Sequence, residues 1–178
     1  MPNPTENSRE HFHKLLKSFR SVMLVTHADY KTPGSEPGEV ADAEMSSRPM
    51  QVARLDDNCD IWFLTDADTA KVFEIRTDPH VQVVAQDSDD RFVSLSGTAR
   101  VLQDKATIRE LWSEPYKVWF PDGPDTPGIR AIHVSAQEGD YWDSTGMNKV
   151  KYMLKAAKAY ATGTRPESDR DNAGHVRL

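Results

Sequence analysis

Beyond its opening segment the chain is a succession of short runs rich in β-branched and aromatic residues, with too few helical stretches between them for every strand to be followed by a crossover helix. That order excludes a regular βαβ winding. It predicts a mainly β fold, a small antiparallel barrel of six or so strands with peripheral helices, whose closure removes exposed sheet edges. The expected strands are Val22 to Thr26, Met45 to Arg54, Ile61 to Thr65, Val81 to Ala85, Phe92 to Leu102 and Ile129 to Ser135, with a short one around Tyr141-Trp142. The continuous run Val22 to Val25 predicts burial on both faces. By contrast, Val93, Leu95, Gly97 and Ala99 alternate with Phe92, Ser94, Ser96 and Thr98, the pattern of a strand with one face in the core.

Four helices are expected around this barrel. Phe12, Leu15, Leu16 and Phe19 form one apolar stripe on an opening helix, with Ser8 as its N-cap. A second helix spans Asp68 to Arg76, begun by Asp66 or Asp68 and stopped before Pro79. A third, Asp104 to Ser113, precedes the aromatic segment Pro115-Tyr116-Lys117-Val118-Trp119-Phe120, in which Trp119 and Phe120 read as core or dimer contacts. The last, from about Asn148 to Ala161, presents Lys149, Lys151, Lys155 and Lys158 and stops at Gly163.

The stretch Asp29 to Glu44, with five acids against Lys31, reads as a solvated loop, or alternatively as a lid near a ligand. Residues 1–162 are expected to form a single domain, and the polar residues 163–178 a tail that is poorly ordered or wrapped on a partner.

With 28 acids against 22 bases the net charge is −6, which argues against a general nucleic-acid binder and leaves small anions wherever cations cluster locally. A single cysteine, Cys59, rules out an intrachain disulfide and a Cys-rich zinc site, and the scattered histidines offer no metal-ligand pair. Neither a secretory signal nor a membrane span is legible, so a reducing cytoplasm is the expected setting.

The nine glycines form no G-x-G-x-x-G or Walker loop, and no serine is framed as G-x-S-x-G. The informative stretch is Ile61-Trp62-Phe63-Leu64-Thr65 running into Asp66-Ala67-Asp68-Thr69-Ala70-Lys71. There a strand meets a helix N-terminus, so backbone amides, the Thr69 hydroxyl and the Lys71 ammonium can converge on one anion; the plainer alternative is a capping threonine beside an exposed lysine. A second element, Arg48-Pro49-Met50, puts proline inside a strand-like run, which predicts an edge or a bulge.

Together these two elements resemble the FMN-binding split barrel of the pyridoxamine 5'-phosphate oxidase-like superfamily, in particular its general stress protein 26-like branch. The resemblance runs from Phe12 to Ser144, through Arg48-Pro49-Met50, Phe63-Leu64-Thr65, Thr69-Ala70-Lys71, Asp78-Pro79, Ser96-Gly97 and Tyr141-Trp142. It implies a homodimer with two flavin sites at the subunit interface. On that resemblance Thr65, Thr69 and Lys71 hold the phosphate and Arg48 adds charge beside phosphate or ring. Pro49, Met50 and Leu64, with neighbouring Phe63, offer backbone or apolar contact to the flavin, and Trp142 approaches from the partner subunit. FMN is the implied cofactor, with FAD as the alternative.

Departures from the true oxidases are equally legible. Ala70 stands where they carry a phosphate-binding arginine, Ala53 where they carry a substrate lysine, and Phe92 and Ser94 replace a glutamine and an arginine. After Trp142 comes Asp143-Ser144-Thr145 rather than an Arg-Leu-His segment, so vitamin B6 oxidation is disfavoured. The expected function is a flavin-dependent oxidoreductase working with a small-molecule electron donor or acceptor. The alternatives are a non-catalytic flavin-sequestering stress protein and a flavin-free adaptor using its lysine-rich last helix.

Overall fold

The computed structural model describes residues 4–29, 43–143, 160, 162–163 and 173–178. Helix α1 (Pro4–Lys17) leads into β1 (Ser21–Asp29), β2 (Ala43–Gln51), the two-residue β3 (Arg54–Leu55) and β4 (Ile61–Asp66). Helix α2 (Ala70–Thr77), β5 (His80–Gln86), β6 (Arg91–Leu102), α3 (Lys105–Leu111), two 3-10 turns (Glu114–Val118 and Gly123–Asp125), β7 (Ile129–Asp143) and β8 (Ala173–Arg177) complete it. The strands form one antiparallel sheet in the order β2-β1-β5-β6-β7-β4-β3, with β8 also on β7, curled into the split barrel that the sequence predicts.

Closure comes from one continuous stretch. Residues 43–51 pair with β1, the Val52 amide donates to Arg20 O at 2.9 Å, the Ala53 amide to Trp62 O at 2.8 Å, and β3 then pairs with β4. The two ends of the sheet are thus the same piece of chain. Pro49 lies opposite Met23 on β2, an end strand, where the lack of an amide proton leaves no ladder bond unmade.

The interior is filled by Phe12, Leu24, Phe63, Val83, Leu95 and Ile132, among others, under the apolar stripe of α1. A second cluster lies on the other side of β4 and β7, where Trp62, Leu64, Ile129 and Ala131 meet Ile108 and Leu111 of α3. The strand buried on both faces is therefore β4, not β1. In β1 Val22, Leu24, Thr26 and Ala28 point inward and Met23 is 38% exposed. An apolar run alone does not say whether a second layer covers it, and α3 covers β4. The alternation expected in β6 is present.

Other expectations shift in detail. Helix α1 already begins at Pro4, so Ser8 is inside it and not its cap. Helix α2 is capped at Thr69 rather than at an aspartate, because the Asp66 carboxylate instead accepts the Asp68 amide at 2.9 Å in the preceding turn. Tyr141 and Trp142 belong to the long β7. The tail is not wholly without structure: β8 pairs with β7 from Glu138 to Trp142, Val176 enters the main core, and the Leu178 amide donates to Gln137 O at 2.8 Å. One inward valine in a polar pentapeptide is too little periodicity to announce a strand. The interior of the acidic loop and the expected helix from Asn148 lie outside the described residues, apart from Tyr160 and its neighbours Thr162 and Gly163. Among the described residues no helix is long and apolar enough to cross a membrane.

Cys59 is fully buried in the turn between β3 and β4, and burial pushes its thiol up to about 11. A shift of that size lowers the thiolate fraction roughly a hundredfold. Folded protein is expected to react with a disulfide reagent such as DTNB far more slowly than protein in denaturant; equal rates would contradict the burial.

Candidate functional site

Where β2 and β4 diverge above the Gln51 crossing, the split opens into a cavity of about 360 Å³. Such a volume lies at the lower end of the range for small-molecule sites. Its polar end is built by the strand-to-helix junction. Lys71 Nζ donates to Thr65 Oγ1 at 3.1 Å, and the Thr65 and Thr69 hydroxyl oxygens are 3.4 Å apart. Thr69 Oγ1 donates to Asp66 O at 2.8 Å and makes no capping bond to the helix amides, so it orients the turn without closing the N-terminus of α2. Burial, and then the positive charge of Arg48, push the Lys71 ammonium below its ordinary pKa of 10.5, against the opposing pull of Glu74 and Asp66.

The apolar end has walls of two origins. Pro49, Met50 and Leu64 come from the barrel strands, while Tyr116, Trp119 and Phe120 come from the 3-10 turn after α3. Phe120 N–H donates to Tyr116 O at 2.9 Å and Trp119 N–H to the same oxygen at 3.0 Å, which turns all three rings to one side. Tyr116 is buried, and desolvation raises its hydroxyl to about 12, so it stays neutral at physiological pH. Trp119 is 61% exposed at the rim.

Of the residues singled out in the sequence, Pro49, Met50, Leu64, Thr65, Thr69 and Lys71 line this one cavity. Arg48 does not. Its Nη2 donates to Glu74 Oε2 at 2.6 Å and to Ser46 Oγ at 2.7 Å, and its Nη1 donates to Thr26 Oγ1. Phe63 does not line it either: alternation along β4 turns its side chain into the main core, opposite to Leu64. Trp142 sits opposite Phe92 near the end of β7, 48% exposed and away from the cavity of its own chain. Gln51, Asp66 and the aromatic trio are lining residues that the sequence reading did not place there. The spacing i, i+3, i+4 of Tyr116, Trp119 and Phe120 was the available signal.

A cation, two hydroxyls and a helix N-terminus at one end suit a phosphate monoester, and the proline, methionine, leucine and aromatic walls suit a flat ring. None of the described lining residues is a histidine or cysteine. The residues present therefore fit a phosphorylated ring cofactor that brings its own reactivity.

Comparison with known proteins agrees with this architecture. Protein bli-3 of Neurospora crassa is 28% identical over 113 residues, covering 58% of this chain and 54% of that protein, so the chain spans about half the length of that curated relative. The solved general stress FMN/FAD binding protein of Xanthomonas citri is 26% identical, with a TM-score of 0.61 over 80% of this chain and 92% of that one. A Clostridium acetobutylicum protein related to general stress protein 26 of B. subtilis has a TM-score of 0.62 at 20% identity, covering 77% of this chain and 89% of that one, a likeness of fold alone. The family model described as pyridoxamine 5'-phosphate oxidase like matches residues 7–167, nearly all of the barrel and its attached helices. On that match the chain belongs to the pyridoxamine 5'-phosphate oxidase-like family.

Proposed function

We propose that this protein binds FMN in the split between β2 and β4 and works as a homodimeric oxidoreductase that exchanges electrons with a small-molecule donor or acceptor. The observation that carries this reading is the convergence of Lys71, Thr65 and Thr69 at one end of a cavity whose other walls are apolar. The Lys71 ammonium beside the Thr65 hydroxyl, on a turn that the Thr69 to Asp66 O bond holds in place, suits a terminal phosphate, which favours FMN over FAD.

When bound, the flavin would supply reversible electron transfer. The chain's own residues bind and orient. Lys71 and the Thr65 hydroxyl would fix the phosphate, Thr69 would hold the turn that presents them, the strand residues would set the tilt of the ring, and Trp119 would shield its open edge from water. The losses relative to true oxidases, at Ala53 and Ala70 above all, fall on substrate and phosphate contacts and leave these groups in place.

Support for a second copy comes from the outer face of the sheet, where Pro49, Met23 and Val84 lie in register across β2, β1 and β5 and Met45 is exposed nearby. Pro49 belongs both to this apolar row and to the cavity wall, so a partner seated there would border the flavin site.

Purified protein is expected to be yellow, with an oxidised-flavin absorption spectrum, and to release FMN on denaturation. Anaerobic addition of NADH or NADPH is expected to bleach it. Colourless protein that takes up no added FMN would remove the flavin reading; a flavin left oxidised by both nicotinamides would remove the nicotinamide-dependent activity.

A further inference from the structure

Arg48 has the charge expected of a phosphate ligand, yet that charge is already matched. Thr26 from β1, Ser46 from β2 and Glu74 from α2 converge on its guanidinium. Thr26 is fully buried and donates from Oγ1 to Glu74 Oε2 at 2.6 Å, while accepting from Arg48. Glu74 is 8% exposed and the Arg48 side chain 17%. A pair this enclosed, with each partner also hydrogen-bonded to a neutral group, holds its geometry far better than a surface ion pair.

The pair nevertheless borders the cavity: Glu74 follows Lys71 by three residues on α2, and Arg48 immediately precedes Pro49 of the cavity wall, so both charges act on the Lys71 ammonium, in opposite directions. Their effects on a phosphate beside Lys71 would likewise oppose one another. We propose that Glu74 is a specificity-determining residue that sets the anion affinity of the site: by neutralising Arg48 it leaves Lys71 as the cation presented to a bound phosphate. This rests on the flavin reading above. Its consequence is a site tuned to one phosphate monoester rather than to anions of higher charge, and a cofactor held less tightly than two unmatched cations would hold it.

The test is titration of FMN and of riboflavin, which lacks the phosphate, by quenching of flavin fluorescence at two salt concentrations. Glu74→Gln keeps an oxygen to accept from Arg48 and Thr26 but removes the negative charge. It is expected to bind FMN about tenfold tighter, the scale of one added unit charge in a partly screened site. Its salt dependence should steepen while riboflavin affinity stays unchanged. The double variant Arg48→Gln, Glu74→Gln buries no charge at either position and is expected to stay within about threefold of wild type, because a matched pair is exchanged for a neutral one.

Glu74→Gln that folds and binds FMN no tighter than wild type would overturn the proposal. A tenfold loss in the double variant would do so as well, because Arg48 would then be a direct phosphate ligand; this second arm holds even if Glu74→Gln does not fold. Wild-type protein that binds neither flavin would remove the flavin reading itself, and the proposal with it.

Discussion

Gly97→Ala is expected to lower the melting temperature by about 6–12 °C, corresponding to about 3 kcal/mol in a chain of this size. A Cβ at this position would stand 2.1 Å from Ser135 O and 3.1 Å from Ser135 C, so the added methyl meets backbone with no flexible side chain to yield. The position is also where the β6 to β7 register shifts: Ser96 pairs with Glu138 and Gly97 with Ala136, leaving Gln137 as the extra residue of a bulge. Relief of the clash would push apart the two strands that share the longest ladder in the barrel. Ser96→Ala, one position away on the exposed side, serves as a control and is expected to change stability by less than about 0.5 kcal/mol. Calorimetry reads both, and an alanine at 97 that melts within 2 °C of wild type would mean that the strands are not as closely apposed as described.

Lys71→Glu is expected to weaken FMN binding by about 3–4 kcal/mol, on the order of 100- to 1,000-fold, because it removes a charged donor and places an anion against the phosphate. Lys71→Arg keeps the charge and should retain most of the affinity. The pH profile separates the two cations. Burial and Arg48 hold the Lys71 ammonium below 10.5, so wild-type affinity is expected to be level through neutrality and to fall on the alkaline side before an ordinary lysine would titrate. In Lys71→Arg that fall is absent. Stability moves the other way. The unfolded chain holds this proton more tightly than the folded one, so the charged lysine costs folding free energy below its folded pKa, and the cost is relieved as pH rises from that value toward 10.5. Equal affinity of Lys71→Glu and wild type for FMN would take Lys71 out of the phosphate site.

Much of the barrel was legible in the residues because strand-length runs and their breaks follow from local chemistry. What local chemistry does not contain is which face another layer will cover. Val22 to Val25 and Ile61 to Leu64 are similar apolar runs, and only the packing of α3 decides that the second is doubly buried. The site divides the same way. Thr65, Thr69 and Lys71 are close in sequence, and the turn that joins them brings them together. Arg48 was readable as a cation near that turn, whereas its neutralisation by Glu74, 26 residues on, depends on three elements meeting and has no signature in spacing. Trp119 shows the converse: an aromatic in an apolar segment suggests burial, yet a short 3-10 turn leaves it at the rim.

The stretch that bonds first to β1 and then to β4 has a mechanical corollary. Widening the doorway of the cavity would require peeling this ribbon from one neighbour or the other, against the Val52 and Ala53 amide bonds that pin its crossing point. The doorway is accordingly a fixed aperture rather than a hinged one. What can move at its rim is individual side chains, Trp119 foremost, whose exposed ring turns between rotamers within about nanoseconds, far faster than any domain motion.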